Sequence, residues 1–313
     1  MYEGKITDVP GIEVGHAQDF TAKTGCTVIL ARKSAVGGVD VRGSAPGTRE
    51  TDLLRPMNLV ERIHAVALCG GSAFGLSAAC GVMKYLEEQG IGFDTGVAKV
   101  PIVAAAVIFD LAYGNSRIRP DEKMGYEACI NANSGIIAQG SVGAGTGATV
   151  GKILGMRGCM KAGVGTSSIK LPGGIVVGAL VVVNAFGDVV EPGTGKIIAG
   201  ARNPETGEFV DTKRVLLQGY TTKAPIGNNT TIGVVATNAC LSKEQANKVA
   251  SLAHNGLALT ISPVHTMFDG DTIFAMSTGD IKSDVNVIGV AAVEAVSRAV
   301  VNAIMSAQKF QDT

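Results

Sequence analysis

Short runs with strand character and longer runs with helix character alternate along the whole chain. This alternation restricts the possible folds more than any other feature. The strand runs are rich in Val and Ile and are bounded by Gly, whereas the helix runs repeat apolar residues at a spacing of three and four. Predicted strands outnumber the helices that could connect parallel neighbours, so a single alternating parallel sheet is disfavoured. The pattern favours an α/β fold in which two sheets pack together with helices outside.

The predicted elements cover most of the chain length. One helix opens with a capping box at Ser242. The predicted strands are 24–30, 63–68, 175–186, 232–237 and 272–276, and the predicted helices are 72–89, 121–137, 242–255 and 283–308.

The charge balance limits the classes of partner. Only 17% of the 313 residues are charged, and 27 basic residues balance 27 acidic ones. A hydrophobic share of 46% excludes an intrinsically disordered chain. A formal net charge of zero argues against a nucleic-acid partner, which normally requires a basic excess. Few surface charges leave little to keep copies apart, which favours a homo-oligomer. The apolar runs 100–109 and 175–186 are too short to cross a membrane as helices, so no membrane partner is expected.

The six cysteines and four histidines are scattered and form neither a C-x-x-C pair nor a metal-ligand spacing. Reduced, mostly buried thiols are typical of a cytoplasmic protein. The N-terminal residues also lack the basic cap and apolar run of a signal peptide. We therefore expect a cytoplasmic protein without a metal site.

One Gly-rich segment, residues 143–148, fits the G-x-G-x-x-A pattern of a dinucleotide loop. Such a site also needs an acidic residue about 20 positions further on. Residues 128–187 contain no Asp or Glu, so the dinucleotide site is rejected and no cofactor is expected. Gly-rich loops in a stretch with lysines but no acids could face an anion or an oxyanion, although chance and buried strands are the alternative.

Residues 224–235 pass abruptly from loop chemistry to strand chemistry. Pro, Gly and two Asn favour an irregular, accessible backbone, and a Thr then stands at the mouth of an apolar strand. Cleavage before that Thr would give an N-terminal residue whose hydroxyl is a nucleophile and whose α-amine is the general base. A free α-amine has a pKa of about 8, which suits proton transfer at neutral pH. Taken alone, the segment could equally be a solvated turn before a strand.

Motifs over more than 220 residues resemble the DmpA family of self-processing aminopeptidases, which includes the β-aminopeptidases and the nylon-oligomer hydrolase. The motifs, in family order, are T-D-V-P-G-I at 7–12 with V-G-H at 14–16, A-P-G-T-R-E-T-D-L-L at 45–54, G-G-S-A-F-G-L at 70–76, V-P-I-V at 100–103 and V-V-A-T at 234–237. The resemblance implies a four-layer α/β/β/α sandwich of the DmpA/ornithine-acetyltransferase type. It also implies one hydrolase domain, 1–313, that cleaves itself into 1–229 and 230–313.

The family register places the nucleophile at Thr230 rather than Thr231, directly after Asn229, as in the nylon-oligomer hydrolase branch. Asn238 and Cys240 depart from the usual family residues, Asp and Pro, and bear on specificity rather than on the nucleophile. The remaining site residues that the resemblance implies are Lys152, Asn184, Asp269, Asp271 and, on the substrate side, Tyr113.

These residue types fit the chemistry of an N-terminal nucleophile. A positive charge on Lys152 would favour the neutral α-amine, and Asn184 can donate an N–H to an oxyanion. Asp269 and Asp271 can orient the nucleophile or accept a substrate ammonium. Each residue also has an ordinary alternative: a surface lysine, a turn asparagine, and an Asp-Gly-Asp turn before a strand.

The resulting hypothesis is an amide hydrolase, active as a homo-oligomer of cleaved αβ units on small amide or peptide substrates. The acyl part would be a β-, D- or ω-amino-acyl group, with 6-aminohexanoate oligomers among the candidates. Two alternatives stay open from the sequence. One is an acyltransferase of the ornithine acetyltransferase type, and the other is an uncleaved, non-catalytic assembly protein.

Overall fold

The computed structural model describes residues 1–220 and 229–309, and the predicted loop at 224–228 lies outside the described residues. Its strands are β1 (Glu13–Asp19), β2 (Thr24–Val41), β3 (Thr48–Arg49), β4 (Arg62–Cys69), β5 (Phe93–Asp94), β6 (Lys99–Val100), β7 (Val103–Val107), β8 (Thr149–Val150), β9 (Met160–Lys161), β10 (Val164–Lys170), β11 (Val176–Asn184), β12 (Asp188–Val190), β13 (Ile197–Ala199), β14 (Thr230–Ala239), β15 (Ile261–Ser262) and β16 (Thr272–Ile281). Its helices are α1 (Ala78–Glu88), α2 (Glu122–Ile130), α3 (Thr212–Leu217), α4 (Lys243–Thr260) and α5 (Val285–Lys309). Short 3₁₀ turns lie at Ile6–Asp8, Asp52–Leu54, Ser72–Ser77, Gly143–Gly145 and Pro172–Gly174.

The main sheet is continuous through one long strand. Its order is β10-β11-β14-β16-β2-β4-β7-β3, with β1 beside β2. The first half of the 18-residue β2 pairs with β1 and β4, and its second half pairs with β16. A register shift between Leu30 and Ala35 separates these halves, so β2 belongs to both sheet layers and links them.

Three apolar clusters separate the layers. One lies between α4, α5 and the half-sheet of β10, β11, β14 and β16. A second lies between the inner faces of the two half-sheets and contains Ile29, Leu68, Leu180 and Phe274. A third lies between the other half-sheet and the helices α1 and α2. This arrangement is the α/β/β/α sandwich that the sequence predicted, with the two sheets joined through β2.

The strands that lie between two apolar layers are buried along their length. All ten residues of β14 are buried, because helices cover one face and the opposing half-sheet covers the other. This explains why its sequence reads as a nearly continuous apolar run. Polar side chains lie at both ends of this strand, with Thr230 and Thr231 at its start and Thr237 and Asn238 near its end.

Several predicted boundaries were inaccurate. The predicted strand 24–30 is less than half of β2, and the helix predicted over 121–137 ends at Ile130. Residues 72–77 form a 3₁₀ turn before α1 rather than α-helix. The capping box at Ser242 is confirmed, because the Gln245 side chain accepts a hydrogen bond from the Ser242 N–H. The helix α4 nevertheless continues to Thr260. Tertiary packing against α5 extends this helix beyond the sequence signal.

The longest apolar helical stretch is in α5 rather than in the runs singled out from the sequence. Residues Val285–Gln308 are the one described segment long and apolar enough to cross a membrane. Two thirds of its most apolar window (67%) is buried against the rest of the fold, where α5 packs on α4, β10 and β11. Core helices of globular domains have this composition, so the segment is weak evidence for a span.

Candidate active site

Thr230 is the first residue of β14 and lies between two strands of the main sheet. Its register partner in β11 is Asn184, and β16 flanks β14 on the other side. The Thr230 side chain is buried, and its Oγ1 donates to the carbonyl oxygen of the preceding Asn229. The same carbonyl oxygen accepts a hydrogen bond of 3.0 Å from the Gly270 N–H. The peptide bond before Thr230 is therefore in contact with the hydroxyl that follows it and is polarised by a backbone donor.

Asn184 is held by three neighbours. Its Oδ1 accepts from Lys152 Nζ at 2.8 Å and from the Thr149 N–H at 3.1 Å. Its Nδ2 donates to the Phe109 carbonyl at 3.1 Å, which uses one of its two N–H groups. Lys152 Nζ also donates to the Asn184 backbone carbonyl at 3.0 Å. These bonds fix the orientation of the side-chain amide opposite Thr230.

Lys152 is a buried lysine, not a surface one. Burial lowers its pKa to about 7, while Cys159, Asp269 and Asp110 act in the opposite direction. Its backbone N–H donates to the Phe186 carbonyl at 3.0 Å, which anchors the turn after β8. The sequence predicts a positive charge on this lysine. Removal from water instead makes this amine titrate near neutral pH.

The Asp269 carboxylate links Phe186, which follows β11, to Thr266, which lies in the loop before β16. Its Oδ1 accepts the Phe186 N–H at 3.2 Å, and its Oδ2 accepts the Thr266 N–H at 3.0 Å and the Thr266 hydroxyl at 2.5 Å. Burial, with the adjacent Asp271 as a second cause, raises the pKa of the Asp269 carboxyl to about 6. Asp269 also forms an isolated parallel bridge with Asn229, so it lies beside the residue that precedes Thr230.

Asp271 binds the start of β14, next to Thr230. Its Oδ1 accepts the Thr231 N–H at 2.6 Å, and its Oδ2 lies 2.7 Å from His265 Nδ1. Like Asp269, it is 1% exposed. All four carboxylate oxygens of this pair therefore accept from protein groups.

A segment after β2 covers the Asp269–Asp271 turn. The backbone N–H groups of Arg42 and Gly43 donate to the Asp271 carbonyl at 2.9 and 3.1 Å, and the Ala45 N–H donates to the Asp269 carbonyl at 2.9 Å. A Cβ at Gly43 would lie 2.1 Å from the Asp271 nitrogen. Only glycine allows this close approach, which brings the motif beginning at Ala45 onto the site.

A second buried lysine, Lys161, lies close to the first and was not selected from the sequence. Its Nζ donates to the carbonyls of Gly145 at 2.8 Å, Ala148 at 2.9 Å and Ala162. Burial lowers its pKa to about 7. The Gly-rich loop at 143–148 thus directs two carbonyls at a lysine of this chain.

Tyr113 is the one predicted site residue whose ring contact is with Lys161, outside the group of residues around Thr230. Its ring centroid is 5.8 Å from Lys161 Nζ, and the side chain is 36% exposed. It belongs to the turn after Asp110, whose carboxylate accepts from Thr24 and from the Gly71 N–H. A role of Tyr113 on the substrate side stays a prediction.

The structure thus brings Thr230, Asn229, Asn184 and Lys152 into one cluster with the Asp269–Asp271 turn, and their catalytic roles stay predictions. The residues that sequence reasoning missed are Gly270, Thr266, His265 and Lys161. Gly270 acts through its backbone and leaves no side-chain signal. His265 and Thr266 lie only two residues before the Asp-Gly-Asp motif, and that proximity was the available signal.

Known proteins are similar to this chain over most of its length. The family described as Peptidase family S58 matches residues 4–313. An uncharacterised aminopeptidase of Mycobacterium tuberculosis is 42% identical over 97% of this chain and 94% of its own length. A 6-aminohexanoate-oligomer endohydrolase of Kocuria sp. is 33% identical over 88% of this chain and 75% of its own length.

Solved structures share the fold at lower identity. The β-aminopeptidase of Burkholderia sp. superposes with a TM-score of 0.72 at 22% identity, covering 97% of this chain and 86% of its own. The L-aminopeptidase D-Ala-esterase/amidase of Ochrobactrum anthropi, described as a variant of the Ntn hydrolase fold, gives a TM-score of 0.73 at 20% identity. That alignment covers 98% of this chain and 89% of its own. With a family match across nearly its whole length, this chain belongs to Peptidase family S58, the DmpA/β-aminopeptidase family, and is a hydrolytic enzyme of the aminopeptidase and amide-hydrolase type.

Proposed function

We propose that this enzyme activates itself by cleaving the peptide between Asn229 and Thr230, and that Thr230 then serves as an N-terminal nucleophile for amide hydrolysis. The observation that carries the proposal is the scissile geometry. The Thr230 hydroxyl contacts the Asn229 carbonyl oxygen, which also accepts the Gly270 N–H at 3.0 Å. A nucleophile and an oxyanion donor therefore meet at one peptide bond.

Self-cleavage would proceed by an N-to-O acyl shift. Thr230 Oγ1 attacks the Asn229 carbonyl carbon, and the oxygen that gains negative charge faces the Gly270 N–H. The C–N bond breaks, and the nitrogen takes up the hydroxyl proton to become the α-amine of Thr230. Water then hydrolyses the ester, which releases the Asn229 carboxylate and restores the Thr230 hydroxyl.

Turnover would reuse the same groups. The new α-amine takes the hydroxyl proton as Thr230 attacks a substrate amide, and the leaving amine receives that proton. After cleavage, the Gly270 N–H can donate to a substrate carbonyl oxygen in place of the Asn229 carbonyl. Asn184, with one N–H on Phe109 and the other unassigned, is the second candidate donor. Water attack on the acyl-enzyme completes the cycle.

The charge on Lys152 affects the proton affinity of the Thr230 α-amine. Its pKa of about 7 means that this lysine carries a full charge only below neutral pH. While charged, it lowers the affinity of a neighbouring amine for a proton and so favours the basic form. The low pKa follows from burial, which the Met substitution below tests directly.

The proposed substrates are amides whose acyl part ends in a free amine, of the β-, D- or ω-amino-acyl type. The support comes from the family and from the relative described as a 6-aminohexanoate-oligomer endohydrolase. In the uncleaved chain, all four oxygens of Asp269 and Asp271 accept from protein groups. Amine binding by either carboxylate would therefore require one of these partners to be exchanged.

The proposed location rests on the cysteines, and the proposed assembly rests on the charge content. All six cysteines are unpaired, which fits a reducing compartment such as the cytoplasm, although Cys80 and Cys240 are exposed rather than buried. A homo-oligomer of cleaved units is proposed from the low charge content alone.

Thr230→Ala should leave the chain in one piece, because the attacking hydroxyl is lost. The wild type should give two fragments, 1–229 and 230–313, that stay associated through β14. Intact mass spectrometry and N-terminal sequencing measure both results. Thr231→Val is the matched control, since it keeps the β-branched shape and the N–H that binds Asp271, and it should still cleave. A second N-terminus at Thr231, or cleavage in the Thr230→Ala chain, would contradict the assignment.

Asn184→Ala should lower turnover about 10²–10³-fold if Asn184 donates to the oxyanion. The Gly270 N–H remains, so activity should fall without vanishing. Steady-state kinetics on the mature variant measure the loss, and its thermal unfolding midpoint separates catalysis from stability. Wild-type turnover would remove Asn184 from the oxyanion site.

The double variant Thr230→Ala/Lys152→Met should be more stable at low pH than Thr230→Ala alone. Both proteins carry Thr230→Ala so that both stay uncleaved. The native pKa of Lys152 is about 7 against 10.5 for an unperturbed lysine, so the unfolded state binds more protons between these values. The gain in the free energy of unfolding from Met should be largest below pH 7. Above pH 7 it should shrink by up to about 1.4 kcal/mol per pH unit. Urea unfolding from pH 6 to 10 measures this difference. A pH-independent difference would show that Lys152 titrates normally.

Amides of β-alanine, D-alanine, L-alanine and 6-aminohexanoate should be hydrolysed only when the amine is free. Among the four, the 6-aminohexanoyl amide should give the highest kcat/KM, in line with the relative described above. Initial rates on this panel and on its N-acetylated counterparts decide both points. Equal rates on acetylated and free substrates would refute amine recognition.

A further inference from the structure

The loop between β15 and β16 carries a histidine that contacts the Asp269–Asp271 turn. His265 lies 2.7 Å from Asp271 Oδ2 through Nδ1, and its backbone N–H donates to the same oxygen at 3.2 Å. A carboxylate can only accept, so Nδ1 carries the hydrogen. The other carboxylate oxygen accepts the Thr231 N–H at 2.6 Å. Asp271 therefore connects the His265 ring with the residue next to Thr230.

The backbone of His265 is in an uncommon conformation. Its φ is 55°, in the left-handed region that few non-glycine residues adopt. Such conformations persist where the surrounding structure imposes them, and they cluster at functional sites. Here the conformation lets one residue present both its backbone N–H and its ring N–H to a single carboxylate oxygen.

The opposite side of the ring is fixed by packing. The His254 ring meets the His265 ring edge to face, with centroids 4.9 Å apart. His254 is fully buried in α4, and its Nε2 donates to the Asp40 carbonyl at 2.9 Å. His265 Nε2 is buried and has no hydrogen-bond partner among residues 1–220 and 229–309. The ring thus has one polar contact, which is with Asp271.

We propose that His265 is a positioning residue of this active site. His265 donates its Nδ1–H to Asp271 and so fixes the position of that carboxylate. The carboxylate in turn accepts the Thr231 N–H, and this bond sets the position of the Thr230 hydroxyl against the carbonyl that it attacks. His265 acts through Asp271 and does not touch the reacting atoms. The inference rests on the proposed function of Thr230 and adds to it the group that orients the strand of the nucleophile.

Four single variants test the proposal through the rate of self-cleavage, followed by intact mass. His265→Gly removes the ring and suits the left-handed backbone, and it should slow cleavage about 10²-fold, as expected when a reacting group moves by about 1 Å. His265→Asn suits the same backbone and places an N–H where Nδ1 stood, so it should restore most of the rate. His265→Asp has the same shape without the donor and should be as slow as the Gly variant. His254→Gln removes the packed ring but keeps a donor for the Asp40 carbonyl and leaves the bond from His265 to Asp271 in place, so it should slow cleavage far less than the Gly variant does.

Thermal unfolding midpoints for all four variants separate folding from positioning, and Thr230→Ala is run beside them. If the Gly variant fails to fold, the Asn and Asp pair alone decides the question. Equal cleavage rates for Asn and Asp, or wild-type cleavage in the Gly variant, would overturn the role of His265. Cleavage in Thr230→Ala would instead overturn the proposed nucleophile. The two failures are therefore distinguishable.

Discussion

The hydrogen bond from the Gly270 N–H to the Asn229 carbonyl oxygen is the contact on which the arrangement of the site depends. It exists because β14 and β16 run parallel, with Ile232 opposite Thr272, so the residues before each strand also meet. The turn that contributes Gly270 contributes two carboxylates as well. One parallel strand pair therefore brings the Asn229 carbonyl, its donor and the carboxylate that binds the Thr231 N–H to a single edge.

Burial sets the electrostatics around that edge. Lys152 and Lys161 are almost completely removed from water, and each has a pKa lowered to about 7. Asp269 is shifted in the opposite direction, with a pKa raised to about 6. Each shift makes the neutral form of the group accessible near physiological pH, where an exposed lysine or aspartate would be fully charged. Burying these groups against their preferred charge state lowers the stability of the fold.

The sequence predicted the architecture better than the site. The layers could be predicted because apolar periodicity reports burial directly, and the family motifs placed Thr230, Asn184 and Lys152 in a common cluster. The double membership of β2 could not be predicted, because it depends on a register shift that pairing partners impose. Gly270 contributes a backbone N–H, which no residue type encodes. The lowered pKa of Lys152 depends on burial by distant segments, and a lysine in a Gly-rich stretch looks like a solvated one.

The position of β14 within the main sheet has a consequence for how the mature enzyme can be made. A chain cut before Thr230 leaves β14 and β16 in the smaller fragment, inserted between β11 and β2 of the larger one. A precursor that cuts itself as proposed would reach this interleaved state by unimolecular steps whose rates are independent of concentration. Separated fragments would have to find each other first, and the larger would meanwhile expose an open sheet edge on both sides of the gap. Under the proposed cleavage, assembly would be completed in the precursor, and the denatured fragments would have no equally direct route back.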